Sequence, residues 1–487
     1  MTKSLMSQRG TQLTRLAIGQ WKAAHQLRCT VSLRRYSDGA NLKEVLAKQV
    51  PKEREKMLGL KCLHGDKKLG DIKLSNVMGG MRGLLLLICD TSYVDPNKGI
   101  FYRGMTLKDV VKDLPRVQEG SKEGTPEGAF WLLTTGKMPS KGQAEGLTKE
   151  WNKRGNVPRY CQRLLDSMDQ RIHPMAQLCA ASSCLDAESK FVKAYRKGVK
   201  KTKYWEYIYE DAMDLCAFMP VVAAIIYCNA FKDGAGSREL NQKEDWSENF
   251  CRMCGYKDKN FVDLMRLYFV LHADHESGNV SAHATQLVGS ALSSPYLSFT
   301  AGMAGLAGPL HGLANQEVLI WLEAMIEEIG DDPKDDEIIT YVNETLKSGK
   351  VVPGYGHAVL RQTDPRFELQ NDFAMKHCKD DKKVKLVTRL WKLIPEILKK
   401  LGKVANPYPN VDAHSGVLLQ HFGLKEMQYY TVLFGVSRVL GVMAQTIWAR
   451  ALGAPIERPK SFTSDFLCKY FQDKGEDKKA GGGKKKV

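Results

Sequence analysis

Three breaks in a largely apolar sequence set polar side chains beside glycine and proline. The first is Gly308-Pro309-Leu310-His311-Gly312, directly ahead of an amphipathic segment. A histidine at a helix N-terminus is kept neutral by the helix dipole, and a neutral imidazole donates one hydrogen bond well. The second is Val352-Pro353-Gly354-Tyr355-Gly356-His357-Ala358, which runs on through Arg361, Thr363, Asp364, Pro365 and Arg366. Its glycines permit a ligand to approach the backbone closely. The third, Pro409-Asn410-Val411-Asp412-Ala413-His414-Ser415, puts a carboxylate at the opening of another helical stretch. Each has a plainer reading, with His311 and Asp412 as helix caps and His357 as a satisfied turn residue. Pattern alone leaves catalysis and capping both open.

Two other groupings are weaker. Cys251-x-x-Cys254 has no second cysteine pair or histidine at ligand spacing and no βαβ surroundings, which argues against a zinc or redox site. His272, His275 and His283 lie close in sequence, and the spacing predicts that His272 and His275 share a helical face. Their order, His-Ala-Asp-His-Glu, is not that of a zinc peptidase helix, in which the second histidine falls four residues after the first. No metal site is expected.

The elements that must hold these residues are helical. Residues 313–329 and 384–401 repeat apolar positions with helical period and stop at Gly330 and Gly402, and residues 427–452 form a longer, more apolar run. Strand signals are confined to residues 84–89 and 100–102, read as a small hairpin around Asp95-Pro96-Asn97-Lys98-Gly99. Residues 215–231 and 277–316 are uncharged. Pro220 and Asn229 in one, and Ser, Thr, Gln, His and Pro in the other, make them buried core helices, not membrane spans. Gly302, Gly305 and Gly308 allow helices to approach closely. The expected fold class is all-α.

The chain has 487 residues, room for two or three domains, and a net charge of +17. That charge is concentrated at the ends. Residues 1–36 carry seven basic residues and no acid, in the composition of a mitochondrial targeting segment, and Arg34-Arg35-Tyr36-Ser37 resembles a processing site. Residues 474–487 form a lysine-rich tail. Without both ends the body keeps about +6, with no zinc finger or arginine-rich recognition helix, so no nucleic-acid partner is expected. Twelve cysteines without a paired framework suit a reducing compartment.

Read together, the three polar breaks resemble the citrate synthase family, in its eukaryotic mitochondrial form. The likeness runs through residues 271–283, residues 308–317, residues 352–366 and residues 410–416. It extends to Pro96-Asn97-Lys98-Gly99-Ile100, to residues 126–133, to His173-Pro174-Met175 and to residues 453–459, so that it covers roughly residues 40–470. The resemblance implies a homodimer in the mitochondrial matrix. Each subunit would have a large domain, residues 37–311 and 421–473, and a smaller mobile domain, residues 312–420. It implies a citrate (Si)-synthase, an acyltransferase of the tricarboxylic acid cycle that condenses acetyl-CoA with oxaloacetate and hydrolyses citryl-CoA to citrate and CoA. Two other readings stay open: a 2-methylcitrate synthase taking propionyl-CoA, one methylene away, and a structural or filament-forming protein with the same fold.

By the same resemblance Asp412 is the base that takes a proton from the thioester methyl group, and His311 donates to the thioester oxygen. His357 polarises the ketone of oxaloacetate. Arg366, Arg438 and Arg458 of the partner subunit bind its carboxylates, with His275 as a further contact. Removing a proton from so weak an acid demands immediate stabilisation of the enolate oxygen, which suits these residue types. Leu310, Val351, Gly354, Tyr355 and Asn410 match CoA contacts, and Lys403 a phosphate contact. Ala405 stands where animal relatives commonly have lysine. No tightly bound cofactor and no metal are implied. Binding is expected to be ordered, oxaloacetate first, with closure drying the site.

Overall fold

The computed structural model describes residues 41–402 and 404–473. The targeting segment 1–36, the tail 474–487 and Lys403 lie outside the described residues. The architecture is a stack of helices around one buried core, with a single three-stranded antiparallel sheet.

At its centre are the helices Tyr204–Phe231 and Tyr430–Ala451, buried over most of their length and packed on each other. Both are long and apolar enough to cross a membrane. Their most apolar stretches are 83% and 89% buried inside the fold, as expected of core helices. Pro220 is accommodated within the first. The uncharged stretch 277–316 forms the paired helices Val280–Ser290 and Pro295–Leu306. Gly302 allows their contact, since a Cβ there would collide with Thr285 Oγ1 and the Ser281 carbonyl. A second group of helices, Ala314–Ile329, Asp335–Lys347, Pro365–His377, Lys382–Leu401 and Asp412–His421, packs chiefly on itself. Its ends follow the sequence signals: Asp364 and Asp381 cap helix N-termini, and Gly402 closes a helix at φ 68°.

The hairpin differs from expectation. Its strands are β1 (Ser92–Asp95) and β2 (Gly99–Tyr102), joined to a short β3 (Met105–Thr106), with Ser92 opposite Tyr102 and Asp95 opposite Gly99. The turn forms because Asp95 Oδ1 accepts from the amides of Asn97 and Lys98 at 2.8 and 3.0 Å. Residues 84–89 are not a strand. No strand among the described residues pairs with them, and Leu85, Leu86, Leu87 and Ile88 are exposed.

Candidate active site

The histidines expected on one helical face are not on a helix. The helix Lys259–Leu271 ends just before His272, and residues 272–279 form a loop captured by distant partners. Tyr102 Oη accepts from the Asp274 amide at 3.1 Å and donates to the Val270 carbonyl. The buried Asp274 carboxylate accepts from Thr91 Oγ1, Ser92 Oγ, the His275 amide and Gln445 Nε2 at 2.5 to 3.1 Å. Gly441 completes the clamp, because a Cβ there would strike the Ala273 carbonyl, to which its amide donates. His275 is thereby fixed with its Nε2 buried and free of any protein partner. The ring of His272 stacks 4.0 Å from that of Tyr268, and its buried Nε2 likewise has no partner among the described residues.

The other two breaks interlock. Asn410 is their joint: its amide donates to the Gly354 carbonyl at 2.8 Å, its Nδ2 to the Gly356 carbonyl, and its Oδ1 accepts from the Asp412 amide. Gly354 has φ 78° and lies so close to Ala413 and Val318 that a Cβ would sit within 3.0 Å of both. Asn315 Nδ2 donates to Ser415 Oγ, tying the helix that follows His311 to the one headed by Asp412. The ring of His357 lies 5.3 Å from that of His275. Arg366 is the electrostatic hub, acting on His275, His357, Asp412 and Arg438, while Arg438 acts on His275 and His311.

Hydrogen bonds fix both histidine tautomers. His357 Nδ1 accepts from the amides of Val359 and Leu360, each at 3.0 Å, so the proton resides on Nε2. His311 Nε2 accepts from the Ser281 amide at 3.3 Å and touches Ser281 Oγ at 2.9 Å. An amide cannot reverse its role, so His311 carries its proton on Nδ1, which has no partner within the chain. Burial, assisted by Arg438 for His311 and by Arg366 for His357, depresses both imidazoles to about 4. They are therefore neutral donors at physiological pH. Burial pushes Asp412 the other way, up to about 6, against the pull of Arg366.

The arginines are unlike one another. Arg366 is buried in a forked pair with Asp364, Nη2 to Oδ2 at 2.7 Å, and its Nη1 makes no hydrogen bond within the protein. Arg438 is 1% exposed, its guanidinium lies 4.8 Å from the Phe434 ring, and its Nε and Nη1 are buried without any partner. Burial lowers it to about 10. Buried donors without acceptors are costly. The place is built to receive an anion. Arg458 is exposed, with no bond to the cluster.

A family model described as the citrate synthase C-terminal domain matches residues 80–460, more than half of the chain. The chain belongs to the citrate synthase family. It is 53% identical over 436 residues to a probable mitochondrial citrate synthase of Glossina morsitans morsitans, covering 90% of this chain and 94% of that one. Against the mitochondrial citrate synthase of Kajikia audax it is 52% identical over 431 residues, covering 88% and 92%. The crystal structure of citrate synthase from Pyrobaculum aerophilum superposes with a TM-score of 0.68 at 26% identity, over 82% of this chain and 95% of that one. The expectations of an all-α citrate synthase fold and of a family enzyme of the mitochondrial type hold.

Of the remaining expected positions, Gly354, Tyr355 and Asn410 are brought together by the Asn410 amide and by a bridge between Tyr355 and Pro409. Leu310, next to His311 in sequence, and Val351, three residues before Gly354, are both exposed. Among the described residues no group of three or more His, Cys, Asp or Glu side chains could hold a metal ion. Sequence reading missed four positioning residues: Asp274, Gln445, Ser281 and Asp364. Only Asp364 carried a local signal, as the residue before a proline that opens a helix.

Proposed function

We propose that this enzyme makes citrate in the mitochondrial matrix by dividing the work among the clustered residues as follows. Asp412, with no hydrogen bond to its own carboxylate oxygens and an affinity for protons raised by burial, removes a proton from the methyl group of acetyl-CoA. His311 donates from Nδ1 to the thioester oxygen, which holds the enol as it forms. That carbon attacks the ketone of oxaloacetate, whose oxygen takes a hydrogen bond from His357 Nε2. Water then cleaves the thioester, releasing citrate and CoA. Arg438 and the free edge of Arg366 hold the carboxylates of oxaloacetate beside His275. The unpaired, buried guanidinium of Arg438 carries this reading, since a small dianion is what would complete it.

CoA would lie along Leu310, Val351, Gly354, Tyr355 and Asn410, with Lys403 near a phosphate. Residues 312–420 act as the small domain, closing on residues 37–311 and 421–473. Oxaloacetate binds first because it compensates the buried charge that closure encloses. Equal affinity for acetyl-CoA with and without oxaloacetate would sink the order.

The active unit is a homodimer in which Arg458 of the partner subunit completes the oxaloacetate site. In support, Arg458 is exposed and makes no hydrogen bond or ion pair among the described residues, and Leu85 to Ile88, Ile456, Phe462 and Phe466 present apolar surface to solvent. Mixing Arg458→Met with Arg438→Met subunits should restore part of the activity that each lacks alone. No recovery in mixed dimers returns Arg458 to its own subunit.

The direct test measures thiol release from acetyl-CoA, with and without oxaloacetate. Release should require oxaloacetate and fall by about 10²- to 10⁴-fold in Asp412→Asn, the usual worth of a general base. Undiminished release in that variant removes Asp412 from its role.

A further inference from the structure

Two cysteines far from the substrate residues face each other across a helix junction. Cys161 lies in the first turn of the helix Arg159–Asp166 and is fully buried. Cys184 is the last residue of the helix Pro174–Cys184 and is half-buried. Both thiols converge on one acceptor, the Ala181 carbonyl, at 3.8 Å from Cys161 Sγ and 3.2 Å from Cys184 Sγ. Each thiol also shifts the proton affinity of the other. Tyr160 Oη donates to Glu188 Oε1 at 3.0 Å alongside, holding the same two segments together. The approach of the sulfurs is thus set by helix packing and by a flanking bond that does not involve them.

We infer that Cys161 and Cys184 form a reversible oxidation site, in which peroxide oxidises the half-exposed Cys184 and the buried Cys161 resolves it to a disulfide. In the first step the Cys184 thiolate attacks a peroxide oxygen. The O–O bond breaks, giving Cys184 sulfenic acid and, after proton transfer, water. In the second step the Cys161 sulfur attacks the sulfenic sulfur, an S–S bond forms, and hydroxide leaves as water after taking the Cys161 proton. Two thiols are oxidised by two electrons, and one hydrogen peroxide becomes two waters.

The buried partner has a chemical consequence. A sulfenic acid left alone proceeds to sulfinic and sulfonic acids, which thiols cannot reverse, whereas a neighbouring thiol diverts it to a disulfide that they can. Burial raises both thiols above their ordinary range, so little thiolate exists at neutral pH and the reaction is slow. It should quicken by about tenfold per pH unit as the thiolate fraction grows. The site withstands accumulated oxidation; it is not a fast sensor. Cys228, Cys251 and Cys254 supply an internal control, because they are buried near one another without two thiols sharing one acceptor.

The test treats the full-length enzyme with hydrogen peroxide at pH 7 and pH 8.5, followed by peptide mass mapping with and without dithiothreitol. The expected result is a cross-link between the peptides holding Cys161 and Cys184 within one chain, two hydrogens lighter, faster at the higher pH and lost on reduction. In Cys161→Val, dimedone should label Cys184, and longer exposure should carry it to sulfinic acid. Because the wild-type mapping needs no variant, a misfolded Cys161→Val leaves the test intact. Irreversible oxidation of Cys184 in the wild type, a cross-link between two chains, or prior linkage among Cys228, Cys251 and Cys254 would each overturn the assignment.

Discussion

Arg266 and Arg438 are buried to a similar depth, 4% and 1% exposed, yet they are completed in opposite ways. Arg266 gives its Nε to Asp245 at 2.7 Å and its Nη1 to Asp263 at 2.8 Å, with Glu248 at 3.4 Å, and its carboxylate partners raise its proton affinity. Arg438 has Asp274 nearby but two donors with nothing to bind, and burial lowers its proton affinity. The chain finishes the first site itself and leaves the second incomplete, as the proposed binding of oxaloacetate requires. A buried charge is evidence of function only after its partners have been sought.

This contrast predicts crossed effects. Arg266→Met strands Asp245 and Asp263 in the core and should cost about 3–5 kcal/mol of stability. It should leave kcat per folded molecule unchanged, as measured by denaturant unfolding beside the thiol-release assay. Arg438→Met should do the reverse. Citrate formation should fall by a factor equivalent to about 2–5 kcal/mol, mostly through weaker oxaloacetate binding. The ligand-free melting temperature should hold or rise, because an uncompensated buried charge has gone. Oxaloacetate at about a hundred times its Kd should stabilise the wild type by about 2.7 kcal/mol and the variant by almost nothing. A destabilised Arg438→Met that still responds to oxaloacetate would erase the distinction.

Legibility from sequence divides along the same line. Helical period located the helices 314–329, 382–401 and 430–451 because their apolar positions are local facts. The same reasoning misread residues 84–89, where an apolar run suits a strand but no strand among the described residues lies beside it. It also put His272 and His275 on a helix. Their loop is held by Thr91, Ser92, Tyr102 and Gln445, each about 170 or more residues away, and no local pattern encodes such partners. Within the site, His311, His357 and Asp412 were legible from their glycine- and proline-rich settings. The resemblance suggested three open arginines. Asp364 occupies one edge of Arg366 and leaves its Nη1 open, while both Nε and Nη1 are buried without a partner in Arg438. Its signal was present, since Arg438 is the only charged residue between Glu426 and Arg450, but solitude in sequence does not reveal whether a partner comes from elsewhere.

The two regions also hold two buried carboxyls with raised proton affinity, Glu127 at about 7 and Asp412 at about 6, both raised first by burial. Glu127 is bound into the Asp245 side, accepting from Thr148 Oγ1 and the Trp246 amide. In the proposed reaction Asp412 alone is the base, so kcat/KM should fall tenfold per pH unit below about 6. The limb should not move in Glu127→Gln. The histidines, depressed to about 4, stay neutral through that range and add no step. The stability sign is separate. A carboxyl raised from 3.8 to about 6 binds its proton more tightly when folded, so through Asp412 acidification between those values favours the folded state. Asp412→Asn should remove that gain. A limb centred near 7 and shifted by Glu127→Gln would join the two regions functionally.

The smallest effect belongs to a charge pair that bridges the two groups of helices in view of solvent. Lys108 Nζ lies 2.7 Å from Glu368 Oε2, connecting the helix Leu107–Asp113 to the helix Pro365–His377, with side chains 59% and 32% exposed. Water and salt screen such a pair, and two long side chains lose freedom in making it, so its worth is about 0–1 kcal/mol. Lys108→Ala should therefore shift stability by no more than that, and by less in high salt. If residues 312–420 close around substrate, the force must come from the buried arginine meeting its anion, and the KM for oxaloacetate should change less than twofold in this variant. A larger, salt-sensitive rise in KM would mean that an exposed contact sets the domain equilibrium. The contrast between paired and unpaired buried charge would then explain binding but not closure.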